Sequence, residues 1–274
     1  MQKDKLFNLK NGLYIVTGGL GLLGQKHCEA IAEYGGTPVI FDINTDNFES
    51  FKKKLLSYSS IEPIFIQTDI TDENSINDSM QYLLKQDISI RGLINNAARN
   101  PSVSSQGLKQ SNRLEEFDIN EWEKDLKVSL TGSFLCTKII GSNMNLQNGG
   151  SIINISSDLG LIAPNQNLYK KDNVNDNEQF VKPISYSVVK SGLIGMTRYT
   201  STYWPKKVRC NCICPGGIYL EQPEEFVKKI SNLIPMQRMA KVDEYKGSII
   251  FLLSEASSYM NGSIISIDGG RTAW

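Results

Sequence analysis

The stretch that most constrains this chain is YIVTGGLGLLG, which begins at Tyr14. Its β-branched apolar start predicts a buried strand, and the residues after it have the helical period of an amphipathic helix. Between the two, three glycines at the G-x-x-G-x-x-G spacing allow a tight turn, close approach of the backbone to a pyrophosphate, and close packing of helix on strand. An ordinary strand-to-helix loop is the alternative. The free N–H groups of the helix start favour a phosphate site, formed by Gly18, Gly21, Leu22, Leu23 and Gly24.

A carboxylate at the end of the next apolar segment, TPVIFDIN, supports the nucleotide site. Asp42 lies close to the twenty-residue offset at which an acidic side chain accepts hydrogen bonds from the adenosine ribose. Such a carboxylate repels a 2′-phosphate, and no Arg or Lys occurs in the glycine loop or directly after Asp42 to neutralise one. The sequence therefore predicts NAD rather than NADP as the cofactor. The alternative is that Asp42 only begins a turn.

Composition narrows the class of partner. The chain has 274 residues, enough for one α/β domain, and its 29 basic and 29 acidic residues give a net charge of zero. Because no long-range field attracts nucleic acid or an anionic membrane, we expect a small-molecule substrate and neither of those partners. The first residues lack the apolar core of a signal peptide, and no later apolar run is long enough to span a bilayer, so we expect a cytoplasmic protein.

Strand-like and helix-like segments alternate along the whole chain, which predicts an α/β fold with a doubly wound parallel sheet. The third strand closes on Asp69, a residue type that can bind an adenine amino group, with Ile70 beside it. The fourth strand ends in small residues that leave room for a cofactor: Asn96, Ala97 and Ala98. No separate second domain is indicated, so we expect one domain over residues 1–274.

Two polar segments interrupt the alternation. Residues 100–113 lack periodicity and are predicted to be a mobile loop over one edge of the site. Residues 160–182, rich in Asn, Asp and Lys, form an insertion that is either a substrate-side lid or a disordered flap. Between them a long amphipathic helix is predicted to bury one stripe, formed by Trp122, Leu126, Ser129, Leu130 and Phe134.

The cysteines and the single histidine do not indicate a metal site. Cys210, Cys212 and Cys214 alternate on one face of a predicted strand, but no Cys-x-x-Cys pair occurs. His27, the only histidine, lies far away in the first helix. We expect small buried thiols, a packed or exposed histidine without a catalytic role, and no bound metal.

The candidate catalytic residues follow the fifth strand. That strand, SIINISS, delivers Ser157 at the carboxyl edge of the sheet, where ligands bind in this architecture. Tyr186 and Lys190 follow at i and i+4 on one helix face. Lys190 can stabilise the phenolate of Tyr186, which would then take a proton from a substrate hydroxyl that Ser157 holds. The alternative for the pair is an ordinary contact on a helix surface.

Taken together, TGGLGLLG, Asp42, NNAA, the SS pair, YSVVK and CPGG resemble the short-chain dehydrogenase/reductase family over nearly the whole chain. The resemblance implies a seven-stranded Rossmann fold, NAD(P) as cofactor, and a homodimer or homotetramer. It also implies catalysis by Ser157, Tyr186 and Lys190, with the nicotinamide bordered by Pro215, Gly216 and Ile218. The helix around 122–140 and the helix after Tyr186 are the predicted contact surfaces between subunits.

Two departures from the family pattern affect the detail. Leu22 stands where classical members have the middle glycine, and Gly21 restores the spacing of extended, sugar-nucleotide-modifying relatives. Ser129 stands where the family usually has an Asn that holds a helix kink and a water in a proton relay. A serine can bond the helix backbone or a water itself, so we predict a perturbed relay that still functions.

These observations predict an NAD-dependent oxidoreductase that interconverts a secondary alcohol and a ketone. TGGxGLLG, the polar insertion, PGGI and the ending DGGRTAW resemble a subgroup that includes flagellin-modification oxidoreductases, which implies a sugar or polyol derivative as substrate. Two alternatives stay open. A nucleotide-sugar epimerase or dehydratase shares the glycine spacing but normally needs a C-terminal domain. A dinucleotide-sensing protein would not need a phenol beside an ammonium.

Overall fold

The computed structural model describes residues 6–99 and 112–274, so most of the predicted loop at 100–113 lies outside the described residues. Within those residues strands and helices alternate, as the sequence predicts. The strands are β1 Gly12–Thr17, β2 Thr37–Asp42, β3 Ile64–Gln67, β4 Ser89–Asn95, β5 Gly150–Ile155, β6 Val208–Pro215 and β7 Ile264–Ile267.

The helices follow the strands in turn. They are α1 Leu22–Glu33, α2 Phe48–Leu56, α3 Glu73–Leu83, α5 Ile184–Tyr203, α6 Glu224–Ser231 and α7 Lys246–Leu253, with α4 as a continuous run from Ile119 to Leu146. Short 3₁₀ turns occur at Leu114–Glu116, Asp158–Gly160, Gln166–Tyr169, Asp176–Glu178, Val242–Tyr245 and Glu255–Ser257.

All seven strands pair in parallel in one sheet, in the order β3-β2-β1-β4-β5-β6-β7. Val16 in β1 lies opposite Ile40 in β2 and Ile94 in β4. The direction of winding reverses between β1 and β4, so the connections after these strands leave a crevice at their carboxyl ends. The predicted doubly wound parallel sheet is confirmed.

Strand residues alternate between two buried layers, because successive side chains point to opposite faces of a sheet. Val16, Ile40 and Ile94 pack on one face beneath α1, α2 and α7. Ile15 and Leu93 pack on the other face beneath α3 and α4. Both faces are covered by helices, so the carboxyl edge of the sheet is where functional side chains from the strands converge.

The stripe predicted for α4 is wrong at Phe134, whose side chain is 53% exposed. Two π-helical stretches, Lys127–Gly132 and Thr137–Gly141, interrupt the α-helical turns. A π turn adds a residue to the turn and rotates the following side chains around the helix axis. The buried face beyond it is therefore formed by other residues, namely Leu135, Cys136, Ile140 and Met144.

The polar insertion at 160–182 packs against α6. Its turn Gln166–Tyr169 buries Leu168 and Tyr169, and the ring of Tyr169 stacks on Phe226 with 5.9 Å between centroids. The backbone of Lys182 is held in both directions by Gln166, whose Oε1 accepts from Lys182 N at 2.9 Å and whose Nε2 donates to Lys182 O at 3.4 Å. The insertion therefore packs on α6, and two of its residues, Tyr169 and Lys182, line the cavity described below.

Cys210, Cys212 and Cys214 are buried on β6 as free thiols. Within the described ranges, no group of three or more His, Cys, Asp or Glu side chains is placed to hold a metal ion. His27 is buried on α1, and its removal from water lowers its pKa to about 3, so the ring is neutral. No helix among the described residues is long and apolar enough to cross a membrane.

Candidate active site

The glycine loop after β1 is bound directly to the small residues after β4. Gly18 has a φ of +61°, and a Cβ added to it would lie 3.0 Å from the Cα of Ala97. The Nδ2 of Asn96 donates to the carbonyls of Thr17 and Gly18, at 2.9 and 3.1 Å. The two predicted motifs therefore form one structure, in which the positive φ and the lack of space both require glycine.

The start of α1 faces the same crevice. Gly21 precedes the helix in an extended conformation, and the first N–H groups of a helix have no acceptor within it. Gly24 serves packing instead, because a Cβ there would lie 2.1 Å from the carbonyl oxygen of Gly18. The positive φ of Gly18 and the close packing at Gly24 therefore each require glycine, whereas the role of Gly21 at a pyrophosphate stays a prediction.

Two carboxylates lie on the β2 and β3 side of the crevice. Asp42 Oδ2 accepts from the N–H of Leu20 at 3.0 Å, which ties the end of β2 to the glycine loop. Asp69 Oδ1 accepts from the N–H and the hydroxyl of Thr71, each at 2.8 Å. The glycine loop thus orients Asp42 and the turn after β3 orients Asp69, and both carboxylates line the cavity described below.

Ser157, Tyr186 and Lys190 meet at the carboxyl end of β5. Lys190 Nζ donates to the carbonyl of Ile155 at 2.9 Å and lies 5.7 Å from the centroid of the Tyr186 ring. Ser156 Oγ donates to the carbonyl of Lys190 at 2.7 Å, which attaches α5 to the strand end. The backbone of β5 thus holds the ammonium on the face of α5 that carries the phenol.

Burial dominates the electrostatics of this pair. Removal from water raises the pKa of Tyr186 to about 12, and the neighbouring Ser157 hydroxyl opposes the rise. Burial lowers the pKa of Lys190 to about 8. In the protein alone the phenol is therefore protonated at neutral pH, and the ammonium by itself does not make it acidic.

Ser157 is connected to the C-terminal end of the chain. Its hydroxyl donates to Asp158 Oδ1 at 2.8 Å and accepts from the N–H of Leu159 at 3.2 Å. The other carboxylate oxygen of Asp158 binds the guanidinium of Arg271 at 2.6 Å, and both side chains of this ion pair are buried. The pair fixes Asp158, and Asp158 orients the serine hydroxyl.

One cavity of about 750 Å³ joins these groups. Most of the predicted residues line it: Gly18, Gly21, Leu22, Leu23, Asp42, Asp69, Ile70, Asn96, Ala97, Ala98, Ser157, Tyr186, Lys190, Pro215, Gly216 and Ile218. Gly24 and Ser129 do not. Ser129 lies in the first π-helical stretch, and its buried hydroxyl has no hydrogen-bonding partner within residues 6–99 and 112–274. Its carbonyl accepts from the hydroxyl of Ser133 at 2.7 Å.

The residues that line the cavity but were not predicted from the sequence include Asp158, Tyr169, Lys182 and Arg271. Lys182 precedes Tyr186 by four residues, the same interval that separates Tyr186 from Lys190, and this spacing was an available signal. Arg271 and Asp158 are 113 residues apart, and no local pattern connects them.

The residues present fit a dinucleotide. The cavity has a glycine loop with a helix start that could hold phosphates, a carboxylate at the end of β2 that could bind a ribose, and small residues after β4 and β6 that would let a ring approach the backbone. A Cβ at Gly216, for example, would lie 2.8 Å from the Cα of Asp268. Ser157, Tyr186 and Lys190 line the same cavity, so proton transfer and the cofactor would share one site.

Fold and site together define a dinucleotide-binding oxidoreductase. The family model for short chain dehydrogenase matches residues 13–170, and a model described as enoyl-(acyl carrier protein) reductase matches residues 174–272. The chain belongs to the short-chain dehydrogenase family and is an oxidoreductase of the kind that acts on CH–OH groups, which confirms the resemblance seen in its motifs.

Relatives match over nearly their full length. An oxidoreductase of Thermotoga maritima is 29% identical in sequence, and the match covers 97% of this chain and 99% of the relative's chain. An NAD-dependent glycerol dehydrogenase of Listeria innocua is 28% identical in sequence, and the match covers 98% of this chain and 97% of the relative's chain. The crystal structure of a short-chain type dehydrogenase/reductase from Mycobacterium marinum superimposes with a TM-score of 0.81 at 25% identity, covering 98% of each chain.

Proposed function

We propose that this protein is an NAD(H)-dependent dehydrogenase that interconverts a secondary alcohol and a ketone on a sugar or polyol derivative. The observation that carries the proposal is the convergence of Ser157, Tyr186 and Lys190 on the cavity that the glycine loop also lines. Neither an epimerase nor a sensor is favoured by any feature of the described residues.

The preference for NAD rests on Asp42. Its carboxylate lines the cavity at the end of β2 and is held there by the N–H of Leu20. A negative charge at this position accepts hydrogen bonds from ribose hydroxyls and repels a 2′-phosphate. The relative from Listeria innocua is an NAD-dependent glycerol dehydrogenase, which agrees with this choice.

The reaction follows from where these side chains lie. When bound, NAD supplies the hydride acceptor at the substrate carbon. In alcohol oxidation, Tyr186 in its phenolate form would take the proton of the substrate hydroxyl, and the hydride from the substrate carbon would pass to that acceptor as the C=O bond forms. Ser157 turns its hydroxyl from Asp158 to the substrate oxygen and holds it. In ketone reduction the protonated phenol, the form that burial favours, gives its proton to the developing alkoxide.

A hydroxylated substrate suits the walls around Tyr186. The insertion places polar residues on these walls. The relative from Listeria innocua is named a glycerol dehydrogenase, and glycerol is a polyol. Hydroxyl groups need hydrogen-bonding partners when they are buried, and such walls provide them. We infer a short sugar or polyol derivative, and the cytoplasmic location expected from the sequence stays a prediction.

Substitution of Tyr186 by Phe tests the proposal, because it removes only the group that transfers the proton. NADH formation from NAD would be measured with alditols, free sugars, sugar phosphates and nucleotide sugars. We expect the Tyr186→Phe variant to bind NADH normally and to lose turnover by about 10²- to 10⁴-fold. The matched control is Tyr199→Phe, the same change at an exposed position of α5.

Each outcome has a definite meaning. Turnover by the wild type that Tyr199→Phe keeps and Tyr186→Phe loses establishes the dehydrogenase and names its substrate class. Turnover retained by Tyr186→Phe would overturn the role of the tyrosine. NADH binding without turnover of any compound would move the weight to a redox-neutral reaction.

A further inference from the structure

A second phenol belongs to the wall of the cavity. Tyr169 is 9% exposed and lines the same cavity as Ser157 and Tyr186. Its ring stacks on Phe226 with 5.9 Å between centroids, inside a small apolar cluster that the insertion shares with α6 and the residues after it. A tyrosine has an apolar body and one polar tip, so this packing holds the ring and leaves the hydroxyl to the cavity.

The hydroxyl of Tyr169 has no hydrogen-bonding partner in the part of the chain that the structure describes, where the contacts of this side chain are those of its ring. Another buried tyrosine, Tyr245, donates its hydroxyl to the carbonyl of Gly216 at 3.2 Å. The hydroxyl of a buried tyrosine usually has such a partner, because burial removes the water that would otherwise bind it. A ligand in the cavity would supply the partner for Tyr169.

The phenol of Tyr169 lies close enough to the reacting groups to interact with them electrostatically. Burial raises its pKa to about 12, the guanidinium of Arg271 opposes the rise, and negative charge on Tyr186 or Asp158 adds to it. Because electrostatic interactions weaken with distance, this places Tyr169 on the side of the cavity where Ser157 and Tyr186 would hold the reacting oxygen. At neutral pH the phenol is protonated, so it can donate a hydrogen bond to a neutral oxygen or accept one from it.

The proposed reaction occupies Ser157 and Tyr186 with one oxygen of the substrate. A secondary alcohol without another oxygen would leave the hydroxyl of Tyr169 buried and unpaired in the complex, whereas a diol would give it a partner. A site that hydrogen-bonds a substrate hydroxyl rejects the analogue that lacks it, because the buried group of the protein then stays unpaired. The Tyr169 hydroxyl is therefore a basis for selection by the second oxygen of the substrate.

We propose that Tyr169 determines substrate specificity by binding a second oxygen of the substrate, and that the enzyme prefers diols and polyols to secondary alcohols with a single oxygen. This inference rests on the proposed function and adds to it the residue that recognises the rest of the substrate. It gives the insertion a role in substrate selection, because the insertion carries Tyr169. The recognised chemistry is a neutral oxygen on a carbon close to the reacting carbon.

Two other roles for Tyr169 predict different kinetics. If the side chain only holds the insertion on α6, its ring is sufficient, and Tyr169→Phe would change no substrate. If the hydroxyl acted only on the phenol of Tyr186, its loss would change kcat for all alcohols by the same factor and would shift the pH profile of kcat. If the hydroxyl binds a second oxygen, its loss lowers kcat/KM for diols and leaves that for simple alcohols unchanged.

The experiment compares secondary alcohols of equal chain length that differ in the second oxygen. Butan-2-ol has none, butane-2,3-diol has it on the neighbouring carbon, and butane-1,3-diol has it one carbon further away. NADH formation from NAD gives kcat and KM for each compound across a range of pH. Tyr169→Phe removes the hydroxyl and keeps the ring that stacks on Phe226. The matched control is Tyr14→Phe, the same change at a buried tyrosine that does not line the cavity.

We expect the wild type to prefer at least one diol to butan-2-ol, and Tyr169→Phe to lower that preference by about 3- to 10-fold, the loss typical of a hydrogen bond between neutral groups. Tyr14→Phe should keep the preference. The diol that loses more shows which carbon carries the recognised oxygen. Equal use of all three compounds by the wild type, or an unchanged preference in Tyr169→Phe, would overturn the inference while leaving the proposed dehydrogenase intact.

A binding measurement makes the inference independent of turnover. Titrations of the NADH-saturated wild type, followed by saturation-transfer NMR because weak ligands are expected, should give a lower dissociation constant for a diol than for butan-2-ol. Tyr169→Phe should remove this difference. If no compound is oxidised, the difference and its loss still support the role of Tyr169 and count only against the dehydrogenase. Equal dissociation constants for all three compounds in the wild type would overturn that role, whether or not the variant folds.

Discussion

Two buried lysines, Lys182 and Lys190, lie beside Tyr186, and the burial of these charges does not stabilise the folded protein. Burial lowers the pKa of both Lys182 and Lys190 to about 8, and it raises that of Tyr186 to about 12. Each shift means that folding disfavours the charged form of the group. Titratable groups perturbed in this way, on the wall of one cavity, are characteristic of catalytic and binding sites.

At Asp42 the choice of cofactor becomes testable. In Asp42→Ala the ribose loses a charged acceptor and a 2′-phosphate loses a repulsion, so NADH should bind about 10- to 100-fold more weakly while NADPH binds as well or better. Fluorescence titration with both cofactors measures the ratio of their dissociation constants. Asp46→Ala is the matched control, an exposed carboxylate in the same loop that does not line the cavity. A ratio unchanged by Asp42→Ala would mean that another residue recognises the ribose.

The sequence could indicate a site residue where nearby residues determine its position, but not where distant tertiary contacts do. Ser157 comes two residues after β5 ends at Ile155, and Tyr186 and Lys190 share one face of a helix, so local periodicity brings all three to the correct edge. Arg271 reaches the site only because the C-terminal residues fold back over Asp158. Lys182 comes directly before Pro183, the N-cap of α5. The packing of the insertion sets the direction of the Lys182 side chain, and no short sequence pattern specifies that packing.

The elements differ in how closely regular periodicity describes them. β1 and α1 follow the expected periods, and their junction is the glycine loop. α4 does not follow the α-helical period, because its two π-helical stretches change which side chains face the sheet. A buried stripe predicted at α-helical spacing is therefore wrong at Phe134, which is exposed. A π turn depends on tertiary packing more than on residue type, so the sequence gives little warning of one.

The junction of β1 and α1 should tolerate no added methyl group at Gly24. A Cβ there would lie 2.1 Å from the carbonyl oxygen of Gly18, so Gly24→Ala must separate helix and loop and should cost about 2 kcal/mol or more of the free energy of unfolding. Gly195→Ala is the control, because Gly195 is exposed in the middle of α5 with nothing within 4 Å of an added Cβ. It should raise stability by about 0.5–1 kcal/mol. Urea unfolding measures both, and equal midpoints for Gly24→Ala and the wild type would contradict the close packing.

For the molecule as a whole, the alternation of elements predicts a parallel sheet with helices on both faces, and the structure confirms it. The strand order β3-β2-β1-β4-β5-β6-β7 is not contained in that alternation, since any winding direction satisfies it. The glycine loop supplies the missing constraint, because a phosphate site after β1 requires a crevice there, and the reversal between β1 and β4 creates one. Function and topology are thus linked through one short loop.

Several large apolar side chains are exposed on α4 and α5. Exposed residues on these helices and at their starts include Ile119, Phe134, Ile184, Val188, Tyr199 and Tyr203. Both helices also contribute to the site or support it, so association through them would stabilise the cavity wall. We propose a homodimer or homotetramer that buries this surface, in agreement with the expectation from the family resemblance.

Phe134→Glu tests that surface. In an interface with two-fold symmetry every substitution occurs twice, and burial of one large aromatic side chain contributes about 1.5–3 kcal/mol, so a charge at Phe134 should raise the subunit dissociation constant by about 100-fold or more. Sedimentation at micromolar concentration would then show a smaller particle than the wild type. Tyr82→Glu, a matched change at an exposed aromatic residue of α3, should leave the mass unchanged. A monomeric wild type, or an oligomer that Phe134→Glu leaves intact, would show that α4 is not the surface through which the chains associate.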